Sequence, residues 1–123
     1  MNTPASPAVL LYGIPNCDTV KKARAWLAER GVAVAFHDVK KQGVPDGALD
    51  AWVAALGWEV LVNRSGTTWR KLDEATRAAV VDAASARTLL QGQPSALKRP
   101  VVQWPDDALT VGFSPERFHQ HLG

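Results

Sequence analysis

The sequence predicts an α/β fold: a small mixed β-sheet with helices on its faces and a helical insertion in the middle, in the order β-α-β, helical block, β-β-α. Three observations predict it. Short apolar runs at Val9–Tyr12, Val101–Val102 and Leu109–Val111 have the length and composition of strands. Helical spacing begins directly after the first run, at Val20, Ala23 and Leu27. Between Trp58 and Gly92 no strand pattern is found, only helical spacing.

Residues 1–8 combine Asn, Thr, Ser and prolines and read as a flexible tail. The domain is expected to run from 9 to 123. Val9–Tyr12 is a continuous apolar run, as in a buried strand, and Gly13, Pro15 and Asn16 break it. Cys17 follows at the strand-to-helix turn. The helix after it carries Trp26 beside its apolar face, and Gly31 suits its C′ position. Val32–Val39 reads as a second strand, parallel to the first through a right-handed crossover. Lys40–Gly43 is a polar turn and Pro45 opens a second helix at N1, with Leu49, Trp52, Val53 and Leu56 in helical register and Gly57 at its end. Leu72, Ala75, Ala79 and Ala83 mark a third helix with Asp73 and Glu74 in its first turn. Ser85 caps a short fourth that ends near Gly92. The insertion thus spans about 44–98. Pro105, Asp106 and Asp107 separate the last two strands as a hairpin turn, and Ser114-Pro115-Glu116 starts a final helix bearing Phe118 and Leu122.

Composition narrows the function. The 123 residues are 46% hydrophobic and 21% charged, ordinary for a globular chain. A net charge of +2 gives no argument for direct nucleic-acid or membrane binding. No apolar run approaches the length of a membrane span, and the first eight residues lack a secretory n-region and h-region. The single cysteine excludes an internal disulfide and a zinc site built from several thiolates. His119 and His121 are two apart and make no metal site, and His37 reads as a structural histidine. A cytoplasmic monomer is expected.

Cys17 is the candidate nucleophile. The first turn of a helix offers free amide N–H groups and the positive end of the helix dipole, which favour a thiolate. Lys21 and Lys22 add positive potential, and Asp18 opposes it. An inert core cysteine is the alternative from spacing alone. With no second cysteine, a redox cycle needs an outside thiol. Residues 61–99 hold seven basic and three acidic side chains, against six and six in the first 60. Such a basic block is either a solvated helix surface or an attractor for an anionic thiol.

The blocks Leu11-Tyr12-Gly13-Ile14-Pro15-Asn16-Cys17-Asp18-Thr19-Val20-Lys21-Lys22-Ala23, Phe36-His37-Asp38, Leu61 to Leu72, Lys98-Arg99-Pro100 and Val111-Gly112-Phe113-Ser114 resemble the ArsC-like family of the thioredoxin superfamily. That group contains glutaredoxin-coupled arsenate reductases, Spx-type regulators and YffB proteins, and the likeness is greatest to the YffB branch. The resemblance implies a thioredoxin-like fold and a reactive Cys17. It implies an oxyanion- or substrate-binding Arg99 before a cleft-shaping cis-Pro100, and a second such arginine at Arg64. Asn16 and Lys21 complete the expected substrate contacts. No cofactor is expected to be bound. Glutathione is the implied co-substrate, with glutathione or a glutaredoxin as resolving partner and a small thiol or oxyanion as substrate.

Three departures from the arsenate reductases bear on activity. The histidine they carry four residues before the cysteine is Gly13 here; their Ser-Arg after the cysteine loop is Val20-Lys21; and a third arginine before the last helix falls in Gly112-Phe113-Ser114. Spx-type regulators often place a second cysteine where this chain has Val20. The expected function is therefore a thiol-dependent, glutathione- or glutaredoxin-coupled reductase of arsenate-reductase type. The alternative is a non-catalytic Spx-like protein that binds RNA polymerase or another partner.

Overall fold

The computed structural model describes residues Val9–Leu122, so the tail expected at 1–8 lies outside the described residues. A four-stranded sheet has the order β2-β1-β3-β4. β1 (Val9–Gly13) runs parallel to β2 (Val34–Asp38), with Leu11 opposite Phe36 and Tyr12 opposite His37. β3 (Val101–Gln103) is antiparallel to β1 and to β4 (Leu109–Val111). This is the small mixed sheet with helices that the sequence predicts.

The alternation of a strand explains the core. Val9, Leu11 and Gly13 are buried while Leu10 and Tyr12 are half-buried. On the buried face lies α1 (Asp18–Glu29), which contributes Val20, Ala23 and Leu27. Val102, Trp104 and Phe118 close the cluster. Trp104 is inside because its one polar atom is satisfied: Nε1 donates to Thr110 Oγ1 at 3.0 Å. α1 ends as its composition directs. Gly31 takes φ +68°, Gly31 N–H donates to Ala28 O at 3.0 Å and Val32 N–H to Leu27 O at 3.1 Å, the two bonds of a Schellman motif.

The chain divides into two compact units, one of residues up to Asp38 together with those from Arg99 onward, the other Val39–Lys98. The second unit is helical: α2 (Val39–Gln42), α3 (Asp46–Leu56), α4 (Thr67–Lys71), α5 (Glu74–Ala78) and α6 (Ala83–Gly92). Short 3-10 turns lie at Glu59–Leu61 and Pro94–Ala96. Within it α3 packs on α6, and Val62 forms an isolated antiparallel bridge with Leu97.

Several boundaries differ from the sequence reading. β2 starts at Val34 and stops at Asp38; Val39, expected to end the strand, is the buried first residue of a one-turn helix that continues through Gln42, where the polar turn Lys40–Gly43 is expected. Pro45 is the N-cap of α3, with extended φ and ψ, not its first helical residue. The third helix expected from Leu72 to Ala83 is α5 alone. Leu72 terminates α4, Ala79 terminates α5 and Ala83 begins α6, so the spacing from Leu72 to Ala83 crosses two breaks. Asp82, not Ser85, is the N-cap of α6, and Ser85 is the third helical residue that bonds back to it.

The final β-β-α follows the expected order. Asp107 adopts φ +68° in the tight turn, a conformation aspartate tolerates. Ser114 precedes α7 (Pro115–Leu122), and its Oγ accepts from Arg117 N–H at 3.4 Å. Among the described residues no helix is long and apolar enough to cross a membrane.

Candidate active site

The strand register determines what meets Cys17. Tyr12 pairs with Val101 in an antiparallel ladder, so the C-terminal end of β1 and the N-terminal end of β3 lie at the same edge of the sheet. The chain leaving β1 turns immediately: Cys17 N–H donates to Ile14 O at 3.1 Å, with Pro15 and Asn16 at the corner. The chain entering β3 brings Arg99 and Pro100 to the same edge. The Arg99–Pro100 peptide is cis. Pro100 is buried, and its carbonyl accepts from Gly112 N–H at 2.9 Å, which ties it to the exit of β4. Gly112 makes that bond at φ +86°, which glycine adopts without steric penalty.

Cys17 is half-buried and is the N-cap of α1, with extended backbone (φ −84°, ψ 125°). An N-cap side chain faces the amides of the second and third helical residues, here Thr19 and Val20. Burial pushes the thiol up. It is outweighed by the Val20 amide, by the hydrogen bond and charge of the Arg99 guanidinium, and by the Thr19 amide, so the thiol ionises below its ordinary range. The amides act without closing a full capping bond to the sulfur. The sulfur thus lies between a helix N-terminus and a guanidinium, surroundings that favour the ionised form of a thiol.

The other residues singled out by sequence fall as follows. Asn16 is exposed at the corner of the turn. Lys21 is exposed on the first turn of α1, and its N–H makes the first helical bond to Cys17 O at 2.9 Å. The cation acting on the thiol is thus Arg99; neither Lys21 nor Lys22 is among the groups that lower it. Arg64 belongs to the Val39–Lys98 unit, where its guanidinium lies 5.5 Å from the Trp58 ring and 5.9 Å from the Trp69 ring. His37 packs its ring 5.2 Å from that of Tyr12, whose hydroxyl is pushed up by burial. His121 stacks on Trp104 at 5.2 Å and 17°.

Gly13 and Val20, two of the departures from the arsenate reductases, are neighbours in space. A Cβ placed on Gly13 would lie 2.7 Å from Val20 Cγ2 and 3.1 Å from Val20 Cγ1. Any side chain at position 13 would force this buried valine to shift, and a histidine there would press on it hardest. The third departure is apolar too. Phe113 packs edge-on against Phe118 at 4.9 Å and Trp26 at 6.4 Å, in the same cluster that Cys17 borders. Sequence reasoning reads Val20 as a core residue and as a departure from the family's pattern, but not as a neighbour of Gly13. The signal for more was a glycine ending the first strand with a β-branched residue at the third helical position.

A model of the ArsC family matches residues 12–121. The chain belongs to the ArsC family. Among its relatives, an uncharacterized protein of Haemophilus influenzae is 38% identical over 110 residues, which is 89% of this chain and 95% of that one. The solved YFFB (PA3664) protein is 47% identical with a TM-score of 0.87, covering 94% of this chain and 99% of that one. An arsenate reductase (ArsC) related protein from Brucella melitensis is 48% identical with a TM-score of 0.72, covering 98% of both chains. This ArsC-family chain thus matches those two structures over nearly its whole described length.

Proposed function

We propose that this ArsC-family protein is a thiol-dependent reductase in which Cys17 is the sole nucleophile and an external thiol completes the cycle. The observation that carries the reading is the placement of Cys17 at the N-cap of α1 beside Arg99. In the first step the Cys17 thiolate attacks one sulfur of a glutathione mixed disulfide. A Cys17–glutathione disulfide forms, the old S–S bond breaks, and the substrate leaves as thiolate. In the second step the thiolate of a second glutathione, or of a glutaredoxin, attacks the glutathione sulfur of the adduct. Cys17 leaves as thiolate and the oxidised product carries away the electron deficit. Arg99 stabilises the attacking and departing thiolate and the carboxylates of glutathione. Asn16 and Lys21 border the same turn as substrate contacts, and Pro100 shapes its floor.

The single cysteine supports an external resolving thiol, and the reading places the protein in the reducing cytoplasm, acting as a monomer. Arsenate is the weaker substrate. The Brucella melitensis relative is named as arsenate reductase related, but here the position of the expected histidine is a glycine packed against Val20 and that of the third arginine is apolar.

The test is the pH dependence of Cys17 alkylation by iodoacetamide, with intact mass after exposure to glutathione disulfide. Expected are a rate already high below the ordinary thiol range, and one glutathione adduct that free glutathione removes. Cys17→Ser should give neither. A rate that rises only near about pH 8.5 with no adduct would overturn the reading and leave partner binding without turnover.

A further inference from the structure

We propose that Val20, seated on the bare Cα of Gly13, is the positioning residue that keeps the first-turn amides of α1 on the Cys17 sulfur. The inference deepens the thiolate reading of Cys17, and its test needs no turnover. Gly13 is the last residue of β1 and is buried. Its φ is not positive, so no backbone requirement calls for glycine there. The requirement is space, because both γ-methyls of Val20 occupy the region that a Cβ would take.

Val20 is fully buried and is the third helical residue of α1, so its own amide faces the N-cap sulfur. A β-branched side chain inside a helix has essentially one rotamer. It cannot swing away from an added methyl; the helical turn must move with it. The strand end is equally fixed, since Gly13 is opposite Asp38 in the parallel ladder and the next segment is a tight turn. The Gly13–Val20 contact therefore sets the distance between the end of β1 and the start of α1, and with it the approach of the Thr19 and Val20 amides to the sulfur. Arg99 reaches the sulfur from the β3 side and does not depend on this contact.

The experiment compares wild type, Gly13→Ala, Val20→Ala and the double variant. The readout is the pH midpoint of iodoacetamide alkylation, with circular dichroism to confirm folding. Gly13→Ala should raise the midpoint by about half a unit to one unit, a roughly three- to tenfold loss of rate below the wild-type midpoint. In the double variant the methyl added at position 13 occupies space vacated by the valine, and the midpoint should fall back toward wild type. A folded Gly13→Ala with the wild-type midpoint overturns the proposal, as does a double variant that keeps the full shift. If Gly13→Ala does not fold, Val20→Ala decides: its loosened seat should raise the midpoint, with a loss of rate of about twofold to threefold, and an unchanged midpoint overturns the proposal. A reductase reading that fails would show instead as a missing glutathione adduct on the wild-type protein.

Discussion

Around the sheet, eight buried side chains from β1, α1, β3, the turn after it and α7 meet in one apolar cluster. Between Val39 and Lys98, short helices are closed by side chains that bond to helix ends. Asp73 Oδ1 accepts from Thr76 N–H at 2.7 Å, and Arg77 Nη1 donates to Leu72 O at 2.7 Å. Arg87 Nε donates to Asp50 Oδ1 at 2.6 Å, and Gln91 to Asp46. The difference teaches where precision resides. Cys17 packs against this close-packed cluster, whose members come from distant parts of the chain. The other unit buries apolar side chains of its own, Trp52, Leu49, Leu61, Leu90 and Leu97 among them, but the ends of its short helices and the α3–α6 pairing also carry exposed polar bonds, each of which contributes little by itself.

The strongest way to break that comparison is Trp104→Ala. Truncating a buried tryptophan costs about 3–5 kcal/mol, and Thr110 Oγ1, in a residue 3% exposed, loses its indole partner. Against a typical domain stability of about 5–15 kcal/mol this is a large fraction. Urea unfolding should show a midpoint well below wild type, and alkylation should show an ordinary thiol as the Cys17 turn loosens. A loss under about 1 kcal/mol, the scale of one ordinary hydrogen bond, would mean the cluster is no stronger than the polar caps.

Arg99→Gln sharpens the comparison at the site itself. It removes the charge but keeps hydrogen-bond donors, so the Cys17 midpoint should rise while folding persists. The sign of the linked stability follows from the lowered thiol. The thiolate's contribution is fully present above the ordinary thiol range and is lost as pH falls through the lowered folded value. The stability difference between wild type and Cys17→Ser should therefore grow as pH rises from below that folded value to about 8.5, measured by urea midpoints across the range. In the Arg99→Gln background the growth should be smaller. Equal growth in both backgrounds would assign the lowered thiol to the helix amides alone.

The same contrast explains what was legible in the sequence. Val9, Leu11, Val20, Ala23 and Leu27 keep clear strand and helix periods because one apolar face must be buried continuously, and β1, α1 and the closing β-β-α follow from them. Leu72 and the alanines at 75, 79 and 83 keep a helical period by chance across two breaks. Helices of five residues are too short for periodicity to declare. At the site, Cys17 was legible from its turn, and the roles of Arg99 and Pro100 came from resemblance. The nearness of Arg99 to Cys17 is a matter of antiparallel register, and spacing along the chain does not encode it. The seat of Val20 on Gly13 was hidden for the same reason: sequence shows a glycine at a strand end, but only the fold shows what occupies the place of its Cβ.

The smallest effect belongs to a single cap. In α6 the Asp82 carboxylate accepts from Ser85 N–H at 2.9 Å and from Ser85 Oγ at 2.7 Å, while Asp82 N–H donates to Ser85 Oγ at 3.1 Å. The Ser85 hydroxyl first, and then its amide, hold this exposed carboxyl below the ordinary carboxylate range. Stability from a depressed carboxyl is present above about pH 4 and is lost as pH falls through the folded value. Asp82→Ala should therefore lower protection of the α6 amides in hydrogen exchange at neutral pH, and acidification should lower it in wild type but not in the variant. Asp82→Asn, a neutral cap of similar strength, should keep most of the protection and lose the pH dependence. The amides of β1 should hold their protection in all three proteins, because their stability comes from the apolar cluster. If they exchange faster together with α6, the polar caps support the sheet as much as their own helix, and the contrast between the two regions does not hold.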